Sequence, residues 1–265
     1  MKIETVTTEG FSMDYFRFGT GDRTLVILPG VSIKSVMLSA QAVVKEYAVM
    51  QTDFTVYVFD RRAALPPVYS VADMARDTAA AMTALGLRDV CLFGASQGGM
   101  IAMMIALEHP ELVSKLALGS TAARVEERES GALERWIGLA EEGDRAGLFL
   151  AFGEGLYPPA VFEQYRSALT MIARTVTDEE LERFAIIARG TRGFDVLDRL
   201  PELKCPVLAI GAKDDAVLGG DASALIAERL RDKPDFEYYQ YDGYGHAAFD
   251  TAPDYRDRLY RFFAN

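Results

Sequence analysis

The 265-residue sequence predicts an α/β fold with a mostly parallel central sheet. Three observations predict it: short apolar runs recur along the chain, helical stretches separate them, and the runs end at turn-forming residues. Apolar runs of this kind are typical of strands that are buried on both faces of a parallel sheet. Their alternation with helices is typical of right-handed βαβ units.

The predicted strands and helices alternate along most of the chain. Residues 24–28 are apolar and partly β-branched and end at Pro29-Gly30, and residues 56–59 and 90–93 end in the same way at Asp60 and Gly94. The complete set of predicted strands is 3–7, 13–18, 24–28, 56–59, 90–93, 115–118, 206–210 and 236–241. The predicted helices outside the insertion described next are 35–50, 71–85, 97–108 and 254–263.

The alternation stops after Ser120. Residues 123–198 are charged, rich in Ala and Leu and helical in period, and they contain no apolar run of the strand type. We therefore expect a core of residues 1–122 and 199–265, with residues 123–198 inserted after the sixth strand as a helical cap, or lid. The acidic run 126–129 is expected to be a solvated helix face, and Thr177-Asp178-Glu179-Glu180 to begin a helix.

Charge and composition exclude several classes of partner. The formal net charge of −11 and the isoelectric point near 4.8 argue against binding to nucleic acids or to anionic membranes. Residues 1–6 lack a signal-peptide pattern, and the apolar stretch 100–107 is shorter than a membrane span, so we expect a cytoplasmic protein. Cys91 and Cys205 lie in or beside buried strands and are expected to be reduced core residues.

The segment Gly94-Ala95-Ser96-Gln97-Gly98 fits the G-x-S-x-G pattern of a nucleophile elbow. It follows a predicted buried strand and precedes a predicted helix, which is the context that this motif needs. The serine then projects from a tight turn, and the N–H groups of the helix point to the place where negative charge develops. Ser96 is therefore the candidate nucleophile; the competing interpretation is a serine that only caps the helix.

A serine hydroxyl needs a general base, and the chain has two histidines. His109 lies at the far end of the helix that follows Ser96, and we expect it to be structural. His246 lies in a Gly-rich loop after the last predicted strand, at the edge of the sheet where sites collect. An acid that orients His246 is expected after the strand 206–210, where Asp214 and Asp215 are adjacent and Asp221 is a more distant alternative.

The order Ser, Asp, His and the segment from Gly94 to Val113 resemble the α/β-hydrolase superfamily, over nearly the whole chain. The elbow is most similar to those of small carboxylesterases, enol-lactone hydrolases and haloperoxidase-like or perhydrolase-like enzymes. The resemblance implies a Gly-x-x-Asp pattern, which favours Asp214 as the acid.

The resemblance also implies two backbone N–H donors to an oxyanion, from Gln97 and from Val31. Pro29 replaces the histidine that members usually have before Gly30. The loop Asp60-Arg61-Arg62-Ala63-Ala64 lacks their usual glycine, and we predict no chemistry from it.

These residues predict a serine hydrolase that cleaves carboxylic esters of small or medium acyl groups, a carboxylesterase-like activity. The sequence has no P-loop, no dinucleotide-binding motif and no H-E-x-x-H, so we expect neither a cofactor nor a metal. Lactone, C–C bond or perhydrolase chemistry with the same triad remains an alternative, as does a non-catalytic binding protein on the same fold. The expected partner is a small-molecule ester or lactone.

Overall fold

An eight-stranded sheet forms the centre of the computed structural model, which describes residues 1–125 and 131–265. The strands are β1 (Ile3–Thr8), β2 (Phe11–Phe18), β3 (Arg23–Leu28), β4 (Phe54–Arg62), β5 (Val90–Ala95), β6 (Val113–Gly119), β7 (Val207–Ala212) and β8 (Phe236–Tyr241). Their order in the sheet is β1-β2-β4-β3-β5-β6-β7-β8. β2 runs antiparallel to both β1 and β4, and the pairs from β4 to β8 are parallel. The predicted mostly parallel α/β sheet is confirmed.

Ten α-helices accompany the sheet in the described part of the chain. They are α1 (Ala40–Glu46), α2 (Val71–Ala84), α3 (Gln97–Glu108), α4 (Gly131–Glu141), α5 (Arg145–Leu156), α6 (Pro159–Ala173), α7 (Asp178–Arg189), α8 (Ala222–Leu230), α9 (Ala248–Thr251) and α10 (Tyr255–Ala264). The single helix predicted over 35–50 is wrong in detail, because 3₁₀ turns (Val36–Ser39 and Ala48–Met50) flank α1. The Ser35 hydroxyl accepts a hydrogen bond from the Met37 N–H and caps the first of these turns.

The core lies on both faces of the sheet. Along β3, Val26 and Leu28 belong to the apolar cluster that includes α2 and α3, whereas Leu25 and Ile27 belong to the cluster that includes α1 and α10. Successive side chains of a strand point to opposite faces, so a strand covered on both faces must be apolar at every position. This double burial explains the continuous apolar runs seen in the sequence.

Four helices, α4 to α7 (Gly131–Arg189), lie between β6 and β7 and are called the inserted helices below. A bridge between Arg124 and Asp195 joins the two ends of this part of the chain. The helix start expected at Thr177 is confirmed, because Thr177 and Glu180 form a capping box at the start of α7. The cap boundaries at 123 and 198 stay a prediction, and the acidic run 126–129 lies outside the described residues.

Both cysteines are free and buried, as predicted, Cys91 in β5 and Cys205 just before β7. Across residues 1–125 and 131–265, every helix is too short or too polar to cross a bilayer.

Candidate active site

The turn between β5 and α3 has the geometry of a nucleophile elbow. Ser96 has φ 52° and ψ −125°, a conformation that non-glycine residues rarely adopt. A Cβ atom on Gly94 would lie 2.2 Å from the Gly98 carbonyl oxygen, and one on Gly98 would lie 2.0 Å from that of Leu28. The sequence therefore places glycines where backbone segments meet, and these contacts leave Ser96 at the tip of the turn.

Ser96, His246 and Asp215 form one line of hydrogen bonds. The Oγ atom of Ser96 lies 3.0 Å from Nε2 of His246, and Nδ1 of His246 lies 2.8 Å from Oδ2 of Asp215. Since a carboxylate only accepts hydrogen bonds, Nδ1 carries the proton in the neutral ring and Nε2 is free to accept the Ser96 hydroxyl. His246 is 1% exposed and Asp215 is 7% exposed, so this line is closed to bulk water along most of its length.

The choice of Asp214 as the acid next to His246 is wrong, because Asp215 occupies that position. The Asp214 side chain points away and accepts hydrogen bonds from the N–H groups of Gly243 (3.2 Å) and Gly245 (2.9 Å). It thereby holds the loop that carries His246 without contacting the imidazole. The two carboxylates are adjacent in a turn after β7, and the turn sends their side chains in different directions.

Asp215 is ionised in this arrangement. Burial by itself raises the pKa of the carboxyl group, but the His246 charge and hydrogen bond, together with the N–H groups of Leu218 and Val217, bring the pKa below its ordinary value. These two N–H groups lie 3.0 Å and 2.8 Å from Oδ1. Asp215 therefore has both oxygens occupied and can stabilise an imidazolium on His246.

Two other residues considered in the sequence lie away from this line. His109 is the C-cap of α3, which is twelve residues long, and its half-exposed ring lies 3.6 Å from the Glu111 carboxylate. The structural role expected for His109 agrees with this position. Asp221 is at the N-cap of α8, although its side chain makes no capping hydrogen bond there.

The loop after β3 packs directly against Ser96. The position that a Cβ atom on Gly30 would take lies 3.0 Å from the Ser96 Cβ and 3.5 Å from its Oγ. Val31 follows Gly30 on this loop, and Gln97 is the first residue of α3. A backbone so close to the hydroxyl can present N–H groups to an oxygen bound there, which a side chain at Gly30 would prevent.

A buried arginine connects this loop with α3. The Nη2 atom of Arg61 donates to the Pro29 carbonyl oxygen (2.9 Å) and to Oε1 of Gln97 (3.1 Å). The Gln97 amide group in turn donates to the Ile187 carbonyl oxygen (2.7 Å) and to the Thr191 hydroxyl (2.8 Å). Arg61 is 4% exposed, and burial lowers its pKa from the ordinary value, an effect that Asp60 opposes. One network thus joins the Pro29 loop, the residue after the nucleophile and the end of α7.

The sequence pattern assigns no role to Arg61, although the segment from Asp60 to Ala64 departs from the family pattern. The available signal was the charged stretch Asp60-Arg61-Arg62, which directly follows the buried strand predicted over 56–59. A charge after a strand is usually solvated, so the sequence alone did not distinguish a buried arginine from an exposed one. The three-dimensional neighbours, Pro29 and Gln97, are 32 and 36 residues away.

The apolar side chains near the site are of two kinds. Met100, Met103 and Met104 of α3 pack in or against the core. Among the aromatic residues of the inserted helices, the Trp136 ring lies 4.6 Å from that of Phe152. This contact lies within the inserted helices, between α4 and α5.

One aromatic residue of the inserted helices reaches the core. The Tyr157 hydroxyl donates to Asp250 of α9 at 2.9 Å.

No group of three or more His, Cys, Asp and Glu side chains suited to a metal ion occurs among residues 1–125 and 131–265.

Comparison with known proteins places this geometry in a family. The model of the alpha/beta hydrolase family matches residues 25–257. A relative from Azorhizobium caulinodans, named as a carbamate hydrolase, RutD, is 30% identical in an alignment 206 positions long that covers 70% of this chain and 69% of the relative.

Solved structures show the same fold. An alpha/beta hydrolase from a Medee basin deep-sea metagenome library, MGS-M2, superposes with a TM-score of 0.86 at 19% identity, over 99% of this chain and 98% of that one. The enol-lactonase from Burkholderia xenovorans superposes with a TM-score of 0.83 at 19% identity, over 99% and 100% of the two chains. The matched span includes most of β3, all of β4 to β8 and the three residues Ser96, Asp215 and His246, and the chain belongs to the alpha/beta hydrolase family.

Proposed function

We propose that this protein is a serine hydrolase that cleaves carboxylic esters through Ser96, His246 and Asp215. The observation that supports the proposal most directly is the unbroken line from the Ser96 hydroxyl through His246 to the buried Asp215 carboxylate. A serine at an elbow that merely capped a helix would need no such line. In fact the Ser96 side chain makes no capping hydrogen bond to α3.

The proposed reaction has two acyl-transfer steps. Nε2 of His246 takes the hydroxyl proton as Ser96 Oγ attacks the ester carbonyl carbon, and the carbonyl π electrons move to its oxygen. The N–H groups of Gln97 and Val31 stabilise that oxyanion. Collapse of the intermediate breaks the C–O bond to the alcohol, which receives the proton from His246. A water molecule then repeats the sequence on the acyl-enzyme and releases the acid and free Ser96.

The test compares two serine variants. Ser96→Ala is expected to abolish p-nitrophenyl acetate hydrolysis and labelling by a fluorophosphonate probe. Ser167→Ala is the matched control, because Ser167 is exposed on α6, far along the chain from the elbow, and should leave both signals unchanged. Hydrolysis by Ser96→Ala at the wild-type rate would disprove the mechanism, and a folded wild-type protein that neither labels nor turns over ester would favour a non-catalytic binding protein.

Carbamate hydrolysis is the second candidate, because the Azorhizobium caulinodans relative at 30% identity is named as a carbamate hydrolase. Carbamates and lactones present the same carbonyl chemistry to Ser96, so the triad itself does not separate them from simple esters. A panel of p-nitrophenyl esters, enol-lactones and aryl carbamates, compared by kcat/KM, ranks the three classes. Peracid formation in the presence of hydrogen peroxide tests the perhydrolase alternative in the same assay.

A further inference from the structure

An apolar cleft of about 310 Å³ lies beside Ser96, on the sheet face that α1 covers. Gly30 and Ala95 form the wall nearest to the elbow. Val43 of α1 lies on another wall, and Phe249 of α9 lines the cleft near His246. Clefts of this size with mostly apolar walls are the usual form of small-molecule sites. The cleft is not used by the hydrogen-bonded line of the candidate active site.

Residues that line the cleft adjoin the reacting groups at two places. Ala95 directly precedes Ser96, and the Cβ position of Gly30 lies 3.5 Å from the Ser96 Oγ. At the second place, the Phe249 ring meets the His246 ring edge to face, with ring centroids 6.0 Å apart. A substrate whose carbonyl carbon lies next to the Ser96 Oγ atom therefore has an apolar space beside it.

The charged residues of the lining, Glu46, Asp250 and Arg256, pair with one another. Arg256 donates to the Asp250 carbonyl oxygen (2.9 Å), and its Nη2 atom lies 3.3 Å from the Glu46 carboxylate. The side chains of Glu46 and Asp250 are about half exposed, whereas that of Arg256 is 12% exposed. The part closest to Ser96 is lined by apolar groups, which favours a hydrocarbon and penalises a polar or charged group.

We propose that this cleft binds the hydrocarbon arm of the ester, an unbranched alkyl chain that extends from the carbonyl centre on either its acyl or its alcohol side. The proposal rests on the serine hydrolase function proposed above. At roughly 30 Å³ for a water-sized group, the cleft has room for about ten such groups, so chains of six to eight carbons fit. Each methylene that enters it should raise kcat/KM about fourfold.

The kinetic test fills and enlarges the cleft at Val43, a partly buried residue of α1. Wild-type protein is expected to gain about fourfold in kcat/KM per methylene, either with p-nitrophenyl acetate to octanoate or with ethyl to octyl acetates; the responsive series identifies the arm. Val43→Trp should abolish the gain, and Val43→Ala should extend it to longer chains. Gln41→Trp adds the same ring at an exposed position of α1 and should behave like wild type. A Val43→Trp protein that keeps the wild-type profile in both series overturns the proposal.

A binding experiment separates the cleft from the catalytic proposal. Ser96→Ala protein is titrated calorimetrically with N-methylhexanamide and N-methyloctanamide, and with N-hexylacetamide and N-octylacetamide. In one of the two amide pairs, the dissociation constant of the octyl compound should be about fifteenfold lower than that of the hexyl compound, because it has two more methylenes. This difference should vanish in the Ser96→Ala/Val43→Trp double variant. Chain-length-dependent binding without any ester turnover in the wild type would support the cleft proposal and reject the hydrolase proposal. Ester turnover without chain-length-dependent binding would support the hydrolase proposal and reject the cleft proposal.

Discussion

Asp214 and Asp215 are adjacent in the sequence, yet only one of them contacts His246. We expect Asp215→Asn to lower kcat/KM for p-nitrophenyl acetate by about 10⁴-fold, because an amide in that place favours the wrong imidazole tautomer. Asp214→Asn removes only loop contacts to Gly243 and Gly245 and should cost less than about tenfold. Equal losses in the two variants would contradict the assignment.

Asp214 and Asp215 also show which single site residues can be predicted from the sequence. Ser96 and His246 were predictable, because a strand–Gly-x-Ser-x-Gly–helix pattern and a lone downstream histidine leave few choices. The acid was not predictable to the residue, since the choice depends on how one turn directs two consecutive carboxylates. Arg61 was missed for a related reason: its neighbours are set by tertiary packing and not by its local pattern.

At the scale of elements, the elbow depends on three backbone segments that touch. A methyl group at Gly98 would lie 2.0 Å from the Leu28 carbonyl oxygen, and a backbone atom cannot rotate away as a side chain does. We expect Gly98→Ala to cost at least about 3 kcal/mol in the free energy of unfolding, measured by urea denaturation.

Gly138 in α4 is the matched control. A Cβ atom there meets no atom within 4 Å, so Gly138→Ala should raise the free energy of unfolding by about 0.5–1 kcal/mol. Two Gly→Ala changes are thus expected to act with opposite signs. An unchanged stability of the Gly98 variant would mean that the β3 loop and the elbow are not in the contact described.

The link from the Pro29 loop through Arg61 to Gln97 also belongs to this scale. Arg61→Met leaves the Pro29 carbonyl oxygen without its donor and frees the loop that carries Val31, the proposed oxyanion donor. Because the oxyanion forms only during the reaction, kcat should fall about 10- to 100-fold while KM changes little. Arg61→Lys should recover part of the loss.

Arg62→Met is the control for Arg61, since Arg62 contacts the Gly10 and Ala64 carbonyl oxygens and Asp77 instead of the Pro29 loop. It should leave kcat within about threefold of wild type, as expected for a change away from the site. Steady-state kinetics at matched thermal stability distinguish positioning from unfolding. A rise in KM with constant kcat in Arg61→Met would argue against positioning of the oxyanion loop.

At the scale of the whole molecule, the sequence predicted the strands of the sheet better than the elements that pack on its faces. Every buried strand was found, because burial on both faces leaves an uninterrupted apolar run at β3, β5 and β7. The alternation of strands and helices stops after Ser120, and four helices, α4 to α7, lie between β6 and β7 there; their role as a separate cap stays a prediction. The lining of the cleft beside Ser96 was not predictable, since Gly30, Val43 and Phe249 come from distant parts of the chain.

The reactivity of the two thiols tests whether the sheet is buried on both faces. Cys91 and Cys205 are buried on β5 and just before β7, and burial raises the pKa of both thiols. Native protein at pH 8 should show no rapid reaction with 5,5′-dithiobis(2-nitrobenzoate), and both thiols should react in 6 M guanidinium chloride. A thiol that reacts at the rate of a free peptide in the native protein would contradict the burial of that strand.

Alkaline pH gives the same burial a thermodynamic test. The pKa of Cys205 rises from 9.0 to about 11, chiefly by desolvation. Between these values the unfolded chain has lost the Cys205 proton and the folded protein has kept it, so unfolding releases a proton and stability falls as the pH rises. Cys205→Ala lacks this proton. The stability of wild type relative to Cys205→Ala, measured by urea denaturation, should therefore be constant below pH 8 and decline by on the order of 1 kcal/mol per pH unit between pH 9 and 11. Parallel stability curves for the two proteins would show that the Cys205 thiol ionises as easily in the folded protein as in the unfolded chain.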